Sequence, residues 1–302
     1  MHEDIRVSIG LPVWNGGRHL REALESLLSQ THRNLELIIS DNASTDDTPQ
    51  ICQEFVARDE RVRYFRNDTN LGPTGNFLRT LDLASSEYFM WAAHDDRWAP
   101  EFIEANLRRL VGHDDVIASI SHVRFIDVHS WVWETFWAPH GTAPLIGSVR
   151  QNLFRCLWRP GTNTRMYALF RKHILADCLE IADSWGADTC FVVKSLKYGK
   201  YQETDGYLLF RRRGMSRNMR RYVWDNNRTW LGRVFPFWDC TLDILRQPHV
   251  PKSLPVFLAL AKLNLLHTLW YFKCCAVDAA SGLRGLLGSA GARSLVPHDQ
   301  AN

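Results

Sequence analysis

Two adjacent carboxylates, Asp95 and Asp96, follow His94 at the end of a short apolar, aromatic run covering residues 88–92. Hard oxygen donors beside a neutral imidazole suit Mg2+ or Mn2+, and a divalent ion held there could bridge the oxygens of a diphosphate. The run has the composition of a strand buried on both faces, so the pair falls where that strand emerges at its carboxyl end. In open α/β sheets this is where ligands bind. By themselves the two acids could equally cap the helix starting near Pro100, with His94 packed alongside.

The elements that would position this pair can be read from periodicity. Residues 5–11 read as a strand and 12–17 as a turn, and Leu20, Ala23, Leu24, Leu27 and Leu28 recur at helical spacing. Residues 35–40 supply a second strand, Ser44 and Asp47 suggest a capping box, and Ile51, Cys52, Phe55 and Val56 mark a second helix. Residues 62–65 give a third strand and Phe77, Leu78, Leu81 and Ala84 a third helix, leading into the aromatic run. Beyond it, Phe102, Ile103, Leu107 and Leu110 form a helix face, and 116–123 another strand. Repetition of the strand and helix unit predicts parallel strands joined by right-handed crossovers.

From 129 to 160 periodicity fades while Trp131, Trp133, Phe136, Trp137 and Pro139 accumulate, which predicts either a loop over an acceptor or a hairpin packed on the sheet. Residues 166–170 resume a strand. The apolar stretch 254–272 is interrupted by Lys262, Asn264 and His267, so a helix packed on the domain or lying at a bilayer surface is expected in preference to a span. Gly, Ala and Ser from 279 onward suggest a loosely held tail.

Composition narrows the class. At 302 residues and 45% apolar content the chain can bury a sizeable core, and a net charge of +3 gives no global argument for nucleic-acid binding. Seven cysteines without a C-x-x-C pair or a regular framework predict a reduced, intracellular protein, and residues 1–4 lead into the first strand without an apolar signal segment.

Four pieces in order carry a resemblance. Residues 7–16 (VSIGLPVWNG), 37–48 (LIISDNASTDDT), Asn70-Leu71-Gly72 with Asn76, and His94-Asp95-Asp96 are similar in order and spacing to a family 2 glycosyltransferase of the GT-A fold. The resemblance covers about 7–123. It implies an α/β, Rossmann-like, mostly parallel sheet flanked by helices, with a C-terminal helical extension. The expected division is 1–232 as the GT-A domain, with 1–123 its nucleotide-binding half and 124–232 its acceptor-binding half. Residues 233–302 would form a helical extension with a loose tail.

The resemblance also implies roles. Asp41 would recognise the nucleotide base, against the alternative of a loop Asp starting an Asx-turn. Pro12, Val13 and Asn15 would shape the pocket beneath the base, Asn76 would contribute to it, and Asp46 reads as a helix-terminus residue. Asp95 and Asp96 would hold Mn2+ or Mg2+, with His94 as a further donor and Asp95 also touching the nucleotide. Asp188 matches the acidic residue that acts as catalytic base, with Asp183 in reserve and a helix cap as the competing reading. Arg211, Arg212 and Arg213 match a basic segment near the donor diphosphate; a solvated basic face is the alternative, and is preferred for Arg217, Arg220 and Arg221, with anionic lipid nearby. Two departures stand out: Ala93 occupies the place of a first motif carboxylate, and Gly75 that of an Arg common in the family.

The implied activity is inverting, metal-dependent transfer of a sugar from a nucleoside-diphosphate donor (UDP, TDP or GDP type) to a hydroxyl of a glycan or lipid-linked glycan, in surface polysaccharide synthesis. The expected location is cytoplasmic, peripheral on the inner face of the membrane, with membrane-surface contact and no nucleic-acid partner. A sugar-phosphate nucleotidyltransferase would show a Gly-rich basic loop that 12–17 does not supply. A GT-A protein that binds glycans without catalysis is the rival from another class.

Overall fold

The computed structural model describes residues 4–127, 132–133, 142–159, 164–179, 185–212 and 219–292. The first half alternates strand and helix as periodicity predicts: β1 (Val7–Val13), α1 (Gly17–Leu28), β2 (Leu35–Asp41), α2 (Thr48–Arg58), β3 (Val62–Arg66), α3 (Gly72–Asp82) and β4 (Tyr88–Trp91). Then come β5 (Arg97–Trp98), α4 (Phe102–Leu110), β6 (Val116–Ile126), β7 (Val132–Trp133), α5 (Val149–Trp158), β8 (Leu169–Arg171), α6 (Leu175–Cys178), α7 (Ala187–Ser195) and β9 (Lys200–Arg212). The chain closes with α8 (Met219–Asn226), α9 (Trp230–Val234), α10 (Trp238–Arg246) and α11 (Leu254–Ala292).

Eight strands lie in one sheet in the order β3-β2-β1-β4-β8-β6-β9-β5, and β7 pairs with β6. β3, β2, β1 and β4 are mutually parallel, as are β6 and β9, while β8 runs antiparallel between the two groups. Every residue of β1, β2 and β4 is buried, because helices cover both faces of this part of the sheet. α1 turns Leu20, Ala23, Leu24 and Leu27 inward at the expected spacing. The helices after residue 232 share the same core: Phe237, which caps α10, Cys240 and Ile244 of α10, and Val256, Leu260 and Leu263 of α11 all belong to it.

Two buried carboxylates pin β2 at its ends. At the start, Glu36 accepts from Ser8 Oγ on β1 at 2.6 Å, from Ser85 N and Oγ before β4 at 2.9 and 2.6 Å, and from Arg63 on β3 at 2.8 Å. Burial pushes this carboxyl up, but the donors outweigh it and hold it at about 2. At the other end, Asp41 ties β2 to β3 and to the loop before α2.

Four local expectations are corrected. The Ser44 and Asp47 capping box is not formed: α2 starts at Thr48 with Pro49 in its first turn, and Asp46 Oδ1 takes the Thr48 N–H at 3.0 Å. Within 129–160, residues 149–158 are helical, nucleated by a reciprocal cap in which Ser148 and Gln151 exchange side chain and backbone bonds. Trp131, Phe136, Trp137 and Pro139 lie outside the described residues. Residues 164–167 form a 3-10 turn, and the following strand begins only at Leu169. Finally, α11 continues through the Gly, Ala and Ser positions to Ala292, where a loose tail was expected.

Replacing Glu36 by Gln removes the charge on which β1, β3 and the segment before β4 converge. The expected cost is about 1–3 kcal/mol in urea unfolding at pH 7. Because the folded carboxyl lies below its ordinary 4.5, its contribution is full above that value and is lost as pH falls toward 2. The gap between wild type and Glu36→Gln should close over that window; a gap independent of pH would refute the electrostatic account.

Candidate active site

The carboxyl ends of β1, β2 and β4 open on one side of the sheet, and the loops there are laced together. Asn15 N donates to Ser44 Oγ at 2.9 Å, Thr45 N to Asn15 Oδ1 at 2.8 Å, Gly16 N to Thr48 Oγ1 at 2.9 Å and Gly17 N to Asp46 Oδ2 at 3.0 Å. Asn15 and Ala43 both adopt positive φ, 50° and 60°, to turn the chain sharply after each strand. Pro12 and Val13 are buried strand residues paired with Ser40 and Asp41, so they form the floor of this end. The Trp14 indole is 55% exposed above them.

Asp41 and Asn76 belong to that floor. Asp41 is fully buried and has protein donors on both oxygens: Ser44 N on Oδ1 at 2.9 Å, and Tyr64 Oη and Arg66 Nη1 on Oδ2 at 2.7 and 3.0 Å. The turn reading is therefore realised, and in this arrangement the carboxylate is not presented to a base. Asn76 donates to Ser40 O at 2.9 Å and accepts from Ser40 Oγ at 2.6 Å and Asn67 Nδ2 at 3.2 Å, so its amide is occupied in joining α3 to β2. Gly75 beside it leaves no room for an Arg without movement, since even a Cβ there would meet Leu71 Cβ at 2.9 Å.

After β4 the motif residues diverge. The His94 ring packs on Gly16, where an added Cβ would lie 2.7 Å from His94 Cδ2. Asp96 turns inward: 2% exposed, it accepts from Arg212 N at 2.7 Å and Arg211 Nε at 3.3 Å. Burial raises its pKa, Asp95 adds to the rise, and the Arg211 guanidinium works against both. Asp95 is half-buried, and among the described residues no hydrogen bond or ion pair engages its carboxylate.

The basic segment divides likewise. Arg212 is consumed internally: its guanidinium donates to Asp95 O at 2.9 Å, Asp127 O at 2.7 Å and Glu22 Oε2 at 2.7 Å, with the side chain 3% exposed. Arg211 is 23% exposed, pairs with Asp96 and lies over the Tyr167 ring at 4.7 Å. Arg213 and Asp183 lie outside the described residues.

Asp188 sits in the first turn of α7 behind a left-handed Gly186, which takes the cap position; Asp188 Oδ1 accepts the adjacent Thr189 N–H at 2.8 Å. Tyr167 links it to the rest. Burial lifts the phenol to about 12, Arg211 pulls it down, and the charges of Asp96, Asp95 and Asp188 all raise it further. The phenol feels all four charges, so the acidic motif, Arg211 and Asp188 lie around one buried ring. Sequence reasoning missed Tyr167, as it missed His19, which is held down by burial and by Arg212 and raised by Asp95. Neither residue stands at a spacing that would have flagged it.

The donor set defines what a metal would meet. Among the described residues no three His, Cys, Asp or Glu are placed to hold an ion, so the expected His94, Asp95 and Asp96 cluster is not assembled. Asp95 alone offers an open carboxylate, with Asp96 behind it. That fits a Mg2+ or Mn2+ ion drawing its remaining ligands from diphosphate and water, as Mg2+ commonly does.

A mostly parallel sheet with helices on both faces, an acidic motif after the fourth strand and a basic strand end opposite it define a GT-A fold. The mannosyltransferase PcManGT from Pyrobaculum calidifontis, in complex with GDP-Man and Mn2+, superposes with a TM-score of 0.57 at 17% identity, over 97% of this chain and 82% of its own. S. aureus TarS 1-349 in complex with UDP-GlcNAc gives 0.53 at 15% identity, over 76% and 69%. The pattern of glycosyl transferase family 2 matches residues 8–179, more than half the chain, and the protein belongs to that family. An uncharacterized glycosyltransferase of Rickettsia typhi is 35% identical over 114 residues, 37% of this chain and 34% of its own. GlyA of Streptococcus pneumoniae is 28% identical over 122 residues, 40% and 17%. The match thus spans about a third or less of these relatives' length.

Arg211→Met leaves Asp96 buried with the Arg212 N–H as its donor. A stability loss of about 3 kcal/mol is expected at pH 7.5, because an ionised carboxylate has lost its counter-charge. Asp96 is already raised, so acid protonates it first in the variant, and the loss should shrink toward pH 5 in urea titrations. A loss that stays constant with pH would contradict the pairing.

Proposed function

We propose that this chain is an inverting glycosyltransferase that moves a sugar from a nucleoside diphosphate to an acceptor hydroxyl. The observation that carries the reading is geometric: Arg211 pairs with Asp96 of the acidic motif at 3.3 Å and lies over the Tyr167 ring at 4.7 Å, and that phenol also feels the charges of Asp95 and Asp188. Asp188 would accept the proton of the acceptor hydroxyl as its oxygen bonds to the anomeric carbon, while the bond to the diphosphate breaks and its electron pair leaves with the phosphate. Arg211 would face the charge growing on that leaving group, and Tyr167 would keep the guanidinium in place. A bound Mg2+ or Mn2+ at Asp95 would neutralise diphosphate oxygens and polarise them.

For the nucleotide, the floor made by Pro12, Val13, Asp41 and Asn76 would set the depth of the pocket, and the exposed Trp14 offers a flat face to a base. Arg66, 45% exposed above Asp41, is a donor a base could meet first. UDP and GDP donors are favoured by the ligands named for TarS and PcManGT, with TDP as the third candidate. A glycan or lipid-linked glycan in surface polysaccharide synthesis is the proposed acceptor class.

Two measurements test the reading together. Titration with UDP, GDP and TDP, with and without Mn2+, should give one preferred nucleotide whose affinity rises with the ion. Asp188→Asn should lower acceptor-dependent release of that diphosphate about 10²–10⁴-fold while leaving its affinity within about twofold. Unchanged turnover would remove Asp188 from the role, and nucleotide binding without any acceptor-dependent release in the wild type would make the protein a binder.

A further inference from the structure

Helix α11 is apolar on two sides. Val256, Leu260, Leu263, Tyr271 and Cys274 are buried against the protein. On the other side Leu254, Leu258, Leu265, Leu269 and Phe272, spaced at steps of three, four and seven, are 69%, 52%, 60%, 58% and 56% exposed. Phe257, Leu266 and Trp270 widen this stripe, which runs about 27 Å along the helix at ~1.5 Å per residue. Soluble surfaces rarely expose contiguous apolar patches of more than a few hundred Å2. The stripe continues onto α5, which packs on α11 and exposes Val149 and Phe154.

Charge around the stripe has one sign. Neither residues 142–159 nor residues 244–277 contain an Asp or Glu. Lys252 and Lys273 stand exposed at its two ends, and Arg150 and Arg155 line a groove of about 500 Å3 together with Phe154, Pro251, Pro255 and Val256. Upstream, Asp225 and Asp243 pair with Arg221, Arg228 and Arg246, and Asp239 is buried under Arg228 N and Thr229; the next acid on α11 is Asp278, beyond the stripe. Basic side chains rimming an apolar face complement an anionic lipid surface, where insertion of the rings and leucines adds to attraction for the headgroups.

We propose that the outer face of α11, with α5, lies on an anionic lipid bilayer, and that the Arg150 and Arg155 groove receives a lipid phosphate. The helix has the length and composition of a span over Leu254–Ala276, with a mean hydropathy of 1.2. Its inner side argues for lying flat. Lys262 Nζ donates to Trp158 O at 2.9 Å, Asn264 Nδ2 to Thr241 Oγ1 at 2.6 Å, and His267 accepts from Trp185 Nε1 at 2.8 Å. Threading α11 through a bilayer would strip these contacts and expose the core they cover. A second copy of the chain would bring like charge against like. The proposal is independent of the catalytic reading.

The test is flotation of the full chain with phosphatidylcholine vesicles, with and without phosphatidylglycerol. The protein should float with the phosphatidylglycerol vesicles and be released by alkaline carbonate. Leu258→Glu with Leu265→Glu, both on the exposed side, should lower vesicle affinity at least about tenfold with an unchanged Tm. Arg150→Gln should lower it about fivefold for the anionic vesicles only, one surface charge being worth about 1 kcal/mol. Equal binding to both vesicle types, resistance to carbonate, or a concentration-dependent dimer abolished by the Leu258→Glu and Leu265→Glu pair would each overturn the proposal.

Discussion

A carboxylate sealed from water holds this site together. Asp96 cannot stay ionised at 2% exposure without donors, because an isolated buried charge costs several kcal/mol. The backbone N–H of Arg212 and the side chain of Arg211 supply them. Two stretches 115 residues apart in sequence, the motif after β4 and the end of β9, are thereby locked in register. Arg212 closes the clasp from the other side by reaching Glu22 on α1, the carbonyl of Asp95 and that of Asp127. With these bonds made, Asp95 is left facing outward and Arg211 is left over Tyr167. The reactive-looking groups of the cleft are those the clasp does not consume.

The same economy shapes the nucleotide side. Glu36 at one end of β2 and Asp41 at the other join β1, β2 and β3 through charge-assisted hydrogen bonds, which are stronger than neutral ones. Both are buried, and both act on neighbouring strands before they can act on a ligand. The floor is therefore stiff, and the adaptable parts are Trp14 and Arg66 at its rim. Loops above a rigid scaffold are where specificity usually varies. The exposure of these two side chains fits that rule.

Much of this was legible from sequence, for a reason that also explains what was not. Strand and helix from β1 to α4 follow from periodicity, because each buried face repeats at its own period, and the four motif pieces fix their order. Roles within the motifs were harder, since residue type does not say where a side chain points. Arg211, Arg212 and Arg213 look alike in sequence. Which one faces inward depends on the pleat of β9, and its register against β6 slips between Ser121 and Val123. The resemblance implies nucleotide roles for Asp41 and Asn76, and the protein partners that hold them, Tyr64 and Arg66 for Asp41 and Ser40 and Asn67 for Asn76, come from other elements and are not legible in the motif. α5 was missed although Ser148 and Gln151 carry a capping-box spacing; the aromatic, Pro-rich stretch before it masked a ten-residue helix. Tyr167 had no local signal at all, because what defines it is four charges brought from elsewhere in the chain.

The C-terminal helices, which lie outside the matched family pattern, are tied directly to the turn before Asp188. Gly186 sits at φ 91°, and Phe237, the residue capping α10, packs so closely that a Cβ there would come within 2.6 Å of its ring. Phe237 stacks in turn on His267 of α11, centroids 4.6 Å apart at 7°. His267 takes the Trp185 indole N–H on Nδ1, which requires a neutral ring with its proton on Nε2. Burial supplies that condition by drawing the imidazole down to about 4. The turn that presents Asp188 is thus shaped by Trp185 on one side and Gly186 on the other, and both are held by the C-terminal helices. A glycine is needed there because the backbone is left-handed and the ring leaves no space for a side chain. Motion of α10 or α11 would be transmitted to Asp188 through two aromatic contacts and one hydrogen bond, so helices that carry no recognisable motif set the position of the residue proposed to take the proton.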